Sequence, residues 1–137
     1  MTTQVFVVED HDIMREMIIE FISRFPELEI CGSTDSAEDA LKHLPDAGAN
    51  LVLVDTSLPG MSGIDLIAEL RERHPDLRCI MLSGHSQLTY VRRALEAGAD
   101  GYILKGDPYE FETAIQKIID GERYISESLR SGDMLGG

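Results

Sequence analysis

Short apolar runs alternate with amphipathic stretches from one end of the chain to the other. Gln4–Val8 is a β-branched and aromatic run that stops at Glu9-Asp10. From Ile13, apolar residues fall at Met14, Met17, Ile18, Phe21, Ile22 and Phe25, the three-and-four spacing of a one-sided helix that Pro26 stops. Leu28–Gly32 reads as a weaker strand, and Ser36 as the N-cap of a short helix carrying Ala37, Ala40, Leu41 and Leu44. Leu51–Val54 is a continuous apolar run, as expected of a strand covered on both faces. A helix from Ile64 to His74 follows, with Leu66, Ile67 and Leu70 inward, and Pro75 ends it. Leu77–Leu82 is a fourth strand with Ser83 at its end; Ser86 can cap a helix through Leu88, Val91, Ala94 and Leu95, which Gly98 closes. Gly101–Leu104 is a fifth strand leading to Lys105. Asp107 as N-cap and Pro108 at the first position open a last helix with Phe111, Ala114, Ile115, Ile118 and Ile119 inward, and Gly121 ends it. The tail after Tyr124 turns polar and finishes in Gly136-Gly137, the pattern of a frayed end or linker.

Five strands alternating with five helices imply a parallel sheet covered by helices on both faces. At 137 residues and 43% apolar, the chain has the length of one domain and the means to build its core. No apolar run approaches the roughly 18 residues needed to cross a bilayer, and MTTQVFVVED lacks the pattern of a secretory signal. The expectation is a cytoplasmic protein with no membrane association. Cys31 and Cys79 lie in apolar strand-like runs without CxxC spacing, so they read as buried thiols rather than a disulfide or zinc site. A net charge of −13, from 25 acidic and 12 basic residues, argues against direct nucleic-acid binding by this chain and suits a cation site or a basic partner surface.

In such sheets functional residues gather at the carboxyl ends of the strands. Here the first strand ends in Glu9-Asp10, the third in Asp55, the fourth in Ser83 and the fifth in Lys105. Three carboxylates there repel one another, and one lysine leaves the group about two charges short of neutral. A hard divalent cation fills the gap; all-oxygen ligation favours Mg²⁺, with Mn²⁺ as a substitute. A cation, a carboxylate, a hydroxyl and a lysine at one locus suit a phosphoryl group. The carboxylate attacks phosphorus to give an acyl phosphate, whose oxygens the cation, lysine and serine stabilise. Taken singly, Glu9-Asp10 reads as helix capping, Ser83 as turn chemistry and Lys105 as a solvated charge. Their coincidence at successive strand ends favours one site.

Glu9-Asp10, the stretch LVLVDTSLPGMSG around Asp55, Ser83, and GADGYILK ending in Lys105 stand in the order and spacing of the receiver domain of two-component response regulators. The chain resembles that family from Gln4 to Gly121. The resemblance implies an α/β fold, a (βα)5 flavodoxin-like three-layer sandwich with a five-stranded parallel sheet of order 2-1-3-4-5. It implies a receiver domain over residues 1–122 and a C-terminal extension or truncated linker over 123–137. It further implies a regulatory phosphoacceptor rather than an enzyme, with Asp55 taking a phosphoryl group from a phosphohistidine on a sensor histidine kinase or phosphotransfer protein. Asp10, Asp55 and the backbone carbonyl of Ser57 would bind Mg²⁺, with Glu9 acting through a water. Lys105 would contact the phosphoryl group. Ser83 would bond to a phosphoryl oxygen and Tyr102 would swing inward as it moves, shifting the surface of the fourth helix, fifth strand and fifth helix.

EDH, GADGYILK and GERYIS are most similar to the LuxR/NarL-type subgroup, in which a DNA-binding domain follows the receiver. The expected setting is therefore an excised receiver controlling transcription, since GERYISESLR resembles that subgroup's linker. A natural single-domain regulator or phosphorelay intermediate is the alternative. Thr56 departs from the aliphatic residue usual after the acceptor, and its hydroxyl is free to bond locally and alter the site. Leu58 in place of Met conserves volume, and Gly106 stands where many receivers carry proline. Ser57 and His85, two residues beyond Asp55 and Ser83, are placed to tune the phosphoryl lifetime by controlling water. A homodimer is expected through the first and last helices or through the fourth-helix face. Haloacid-dehalogenase-like phosphatases need a second Asp where Ser57 stands. A flavodoxin-like FMN module needs a phosphate loop where Glu9-Asp10-His11-Asp12 repels anions. A degenerate receiver acting only as an interaction surface would not need the acid, Ser and Lys set.

Overall fold

The structure is a computed structural model that describes residues 2–106 and 110–130. The expected cap Asp107, the first-turn Pro108 and the terminal Gly136-Gly137 lie outside the described residues. The chain runs β1 (Thr3–Val8), α1 (Asp12–Ile22), β2 (Leu28–Thr34), α2 (Ala37–Ala47), β3 (Leu51–Asp55), α3 (Gly63–Arg73), β4 (Arg78–Ser83), α4 (Leu88–Ala97), β5 (Gly101–Leu104), α5 (Glu110–Ile119), β6 (Tyr124–Ile125) and α6 (Glu127–Arg130). All strands pair in parallel in the order β2-β1-β3-β4-β5-β6. The central strand β3 is buried along its whole length, as its unbroken apolar run requires.

Alternation along the strands sends side chains to two separate cores. Phe6, Val8, Val52, Val54, Cys79, Met81 and Tyr102 pack with Ala40 of α2, Leu66 and Leu70 of α3 and Val91 of α4. Val5, Val7, Leu51, Leu53, Ile80, Leu82 and Ile103 pack with Ile18 and Ile22 of α1 and Ile115 and Ile118 of α5. Both thiols are free, and burial pushes that of Cys79 up to about 12. Among the described residues no helix is long and apolar enough to cross a membrane.

Local signals hold at most helix ends. Ser36 and Ser62 accept from the amides of Asp39 at 3.2 Å and Asp65 at 3.1 Å, and Gly98 closes α4 with a left-handed φ of 113°. At two helices the structure departs from the periodicity. The N-cap of α4 is Gln87, with no side-chain bond, rather than Ser86. On α1, Ile13 is 72% and Met17 58% exposed, because the buried stripe narrows to Ile18 and Ile22.

The sheet also has six strands rather than five. The stretch from Tyr124 to Glu127 is polar in sequence, yet within it Tyr124, Ser126 and the Glu127 amide find partners inside the fold. The Glu110 carboxylate accepts from Tyr124 Oη at 2.8 Å, Ser126 Oγ at 2.7 Å and the Glu127 amide at 3.0 Å. Ser126 Oγ in turn accepts from the Leu104 amide at 2.8 Å, which ties this segment to the end of β5 beside Lys105. Burial works to raise the Glu110 carboxyl, but these bonds outweigh it and hold it below its ordinary value.

Candidate functional site

Glu9, Asp55 and Lys105 continue the alternation of Val7, Leu53 and Ile103, so they emerge on the side of the sheet covered by α1 and α5. Glu9 is fully buried and Asp55 is 2% exposed. Lys105 Nζ lies 2.9 Å from Asp55 Oδ1 and 3.1 Å from Glu9 Oε1, one cation against two carboxylates. The loop after β3 is held tightly. The Ser57 amide donates to Asp55 Oδ1 at 3.1 Å, and the Gly63 amide donates to the Thr56 carbonyl at 3.3 Å. A Cβ on Gly63 would run into the Asp55 carbonyl oxygen, so only glycine lets α3 begin so close to the loop after β3.

Crowding two carboxylates around one lysine splits their protonation. Burial, and then the hydrogen bond with Asp55, push Glu9 up to about 7 against the pull of Lys105. Burial also works to raise Asp55, but bonds with Glu9, Lys105 and the Ser57 amide outweigh it and hold it below its ordinary value. Lys105 is raised: its burial acts the other way, and the two neighbouring carboxylates, Asp55 and Glu9, prevail. At this edge the carboxylate kept ionised is Asp55, the one at the exit of β3.

Asp10 is exposed beside this pair, and Glu9, Asp10 and Asp55 each offer a carboxylate oxygen within 4.8 Å of one another. Glu9 Oε1 is the buried side-chain oxygen left without a hydrogen bond among the described residues, for its 3.1 Å approach to Lys105 is an ion contact without hydrogen-bond geometry. A buried, unsatisfied oxygen is costly. Together with two neighbouring carboxylates it forms an all-oxygen donor set that fits a hard divalent cation.

The other face of the same edge carries hydroxyls instead of charges. Thr56, Ser83 and Tyr102 continue the alternation of Val54 and Met81 and lie on the side covered by α2, α3 and α4. Ser83 Oγ accepts from Thr56 Oγ1 at 3.1 Å and from the His85 amide at 2.9 Å. Tyr102, already inward and fully buried, donates to the His85 carbonyl at 2.7 Å. Burial raises the Tyr102 phenol, opposed by a side-chain hydrogen bond with Ser83. His85 is half-buried, with its ring stacked on Tyr90 at 4.1 Å between centroids, while Ser57 is exposed.

All the residues singled out from the sequence thus lie at one sheet edge, but in two groups on opposite faces. Sequence reasoning missed Arg15, whose guanidinium donates to the Glu9 carbonyl at 2.7 Å and pairs with Asp12 at 2.7 Å. Its place on the fourth residue of α1, facing the strand end, is the signal that was available. It also missed Ser126 and Glu110, whose contact spans 16 residues and leaves no local mark.

The sequence matches the response regulator receiver domain family over residues 5–119. It is 33% identical over 127 residues to the response regulator GacA of Pseudomonas viridiflava, an alignment covering 92% of this chain and 59% of that protein. It is 34% identical over 102 residues to the DNA-binding transcriptional activator DevR/DosR of Mycobacterium tuberculosis, covering 74% of this chain and 47% of that one. The chain therefore spans about half to three fifths of the length of these curated relatives. The crystal structure of a LuxR-family two-component response regulator from an Aurantimonas species superposes with a TM-score of 0.90 at 30% identity, over 94% of this chain and 93% of that one.

Proposed function

The chain belongs to the response regulator receiver family, LuxR/NarL type, and from that premise we propose that Asp55 is its phosphoacceptor. The observation that carries this is a nearly buried carboxylate at the exit of the central strand, kept ionised with Lys105 Nζ 2.9 Å away. A carboxylate oxygen of Asp55 attacks the phosphorus of a phosphohistidine on a sensor kinase or phosphotransfer protein. The P–O bond of an acyl phosphate forms as the P–N bond breaks, and the imidazole leaves with the electron pair. Lys105 sits where it neutralises an oxygen of the transferred group. Asp10, Asp55 and the Ser57 carbonyl, with Glu9 through a water, would hold Mg²⁺, which would neutralise charge at the phosphoryl oxygens.

Ser83 then donates to a phosphoryl oxygen, and its departure from the hydroxyl chain releases Tyr102 and the α4–β5–α5 surface. Ser57, exposed beside Asp55, and His85, two residues beyond Ser83 with its ring stacked on Tyr90, tune the lifetime of the acyl phosphate by controlling the approach of water. The exposed Ile13 and Met17 on α1 favour the first-and-last-helix face over the α4 face for self-association. One relative is named a DNA-binding transcriptional activator, and control of transcription is the output we assign; action of the receiver alone on a protein partner is the alternative. The chain has no substrate beyond its phosphodonor. The test is incubation with Mg²⁺ and a small acyl phosphate, followed by intact mass. One phosphoryl group is gained, and Asp55→Ala loses it; no gain from any donor overturns the reading.

A further inference from the structure

Resting on the reading of Asp55 as phosphoacceptor, we propose that Thr56 is a positioning residue: its hydroxyl latches Ser83 in the resting arrangement and sets how readily the domain switches. The residue after the acceptor is here not an inert packing group. Thr56 is 8% exposed, so its hydroxyl has to find a partner within the fold. Its backbone is pinned on both sides, the amide to the Leu82 carbonyl at 3.0 Å and the carbonyl to the Gly63 amide at 3.3 Å. A β-branched side chain on a fixed backbone has little rotamer freedom. The hydroxyl is thereby aimed across to β4, where it donates to Ser83 Oγ at 3.1 Å.

The stoichiometry of that oxygen gives the latch its consequence. A serine hydroxyl has one proton and two lone pairs. Thr56 and the His85 amide fill both lone pairs. Tyr102 adds a further tie by donating to the carbonyl of the same His85 at 2.7 Å. Ser83 Oγ is thereby held as a double acceptor on the α2–α4 side of the sheet. To donate to a phosphoryl oxygen on Asp55, it must move its oxygen from that side toward the α1–α5 side. That movement draws it away from Thr56, whose backbone bonds to Leu82 and Gly63 keep it from following. The Thr56–Ser83 bond belongs to one of the two states, and an interaction made in one state only is what shifts a two-state balance. A net hydrogen bond of ordinary strength corresponds to roughly a fivefold bias toward rest.

The test titrates wild type, Thr56→Val and Thr56→Ser with beryllofluoride in the presence of Mg²⁺, following the backbone amide resonance of His85. Val keeps the shape of Thr without the donor, and Thr56→Ala serves the same purpose if Val does not fold. The latch predicts that Thr56→Val half-saturates at roughly fivefold lower beryllofluoride. It also predicts that the unliganded His85 amide of Thr56→Val is displaced toward its saturated position, and that Thr56→Ser behaves as wild type. Half-saturation of Thr56→Val at or above the wild-type concentration overturns the latch while leaving the phosphoacceptor reading standing. So does a Thr56→Ser protein that follows Thr56→Val, because packing rather than the hydroxyl would then be responsible. A wild type that takes up neither beryllofluoride nor a phosphoryl group overturns both readings together.

Discussion

The two faces of one sheet edge are built on opposite plans. On the α1–α5 side, Glu9, Asp55 and Lys105 form a group that is incomplete: two carboxylates share one cation, one of their oxygens has no hydrogen bond, and Glu9 is pushed up to about 7. On the α2–α4 side, Thr56 and the His85 amide donate to Ser83, and Tyr102 donates to the His85 carbonyl, a connected chain of hydrogen bonds without a charge. The first group gains by taking a cation, which supplies the positive charge it lacks. The second gains nothing from a ligand and has to be broken for one to be felt. On the proposed reading the difference separates capture from response: frustration of the charged face favours cation binding, and the bonds of the hydroxyl face set the threshold for switching.

The largest effect should come from breaking the charged side. In Lys105→Ala the two carboxylates lose their cation, and Glu9 must hold a proton to remain buried. Unfolding in urea without Mg²⁺ at pH 7 should show a loss of about 3 kcal/mol, the low end for an unpaired buried charge because Lys105 is partly exposed. Phosphorylation by an acyl phosphate should slow roughly a hundredfold. Saturating Mg²⁺ should recover part of the stability, since it acts on the same charges. A stability loss that Mg²⁺ leaves untouched would separate the lysine from the cation site.

A smaller effect, and a sharper one, lies in the pH dependence. Glu9 is raised from 4.5 to about 7, so between those values the folded chain holds a proton that the unfolded chain has released. Stability conferred by this group is complete below pH 4.5 and is lost as pH rises through about 7. The lowered Asp55 acts in the opposite sense and only below its ordinary 3.8, outside that window. Without Mg²⁺, urea unfolding between pH 5 and 7 should therefore show wild type losing ground against Glu9→Gln, by at most about 1.4 kcal/mol per pH unit. Mg²⁺ should flatten the slope by favouring the ionised carboxylate. Parallel pH profiles for the two proteins would mean that Glu9 does not titrate in this range.

How much of this contrast can be read from the residues depends on how far apart in sequence its parts lie. Asp55 at the end of an unbroken apolar run, and Lys105 after GYIL, are visible because a strand end is a local feature. The order of the first five strands is implied by the resemblance to receiver domains, not by the alternation, which gives only the elements. Thr56 is legible as unusual, but its partner is 27 positions away and nothing local names it. The same holds for β6: the polar stretch GERYIS hides its place in the sheet because Glu110, on another helix, satisfies Tyr124 and Ser126. Periodicity overstated α1, where Met17 keeps helical spacing but is 58% exposed among the described residues.

The smallest effect should come from Tyr102→Phe, and it tests whether the hydroxyl face acts as one unit. The ring is fully buried and stays packed, so the variant removes only the bond to the carbonyl of His85, the residue whose amide donates to Ser83. Stability should fall by about 1 kcal/mol, independently of Mg²⁺, in contrast to the charged face. Beryllofluoride should half-saturate at a severalfold lower concentration, as expected for Thr56→Val. If both changes act by freeing Ser83, the double variant should shift half-saturation by less than the product of the single shifts, because an already loosened serine cannot be released twice. Independent, multiplying effects would mean that Thr56 and Tyr102 hold the resting state through separate contacts, and the contrast between one frustrated face and one closed chain would have to be redrawn.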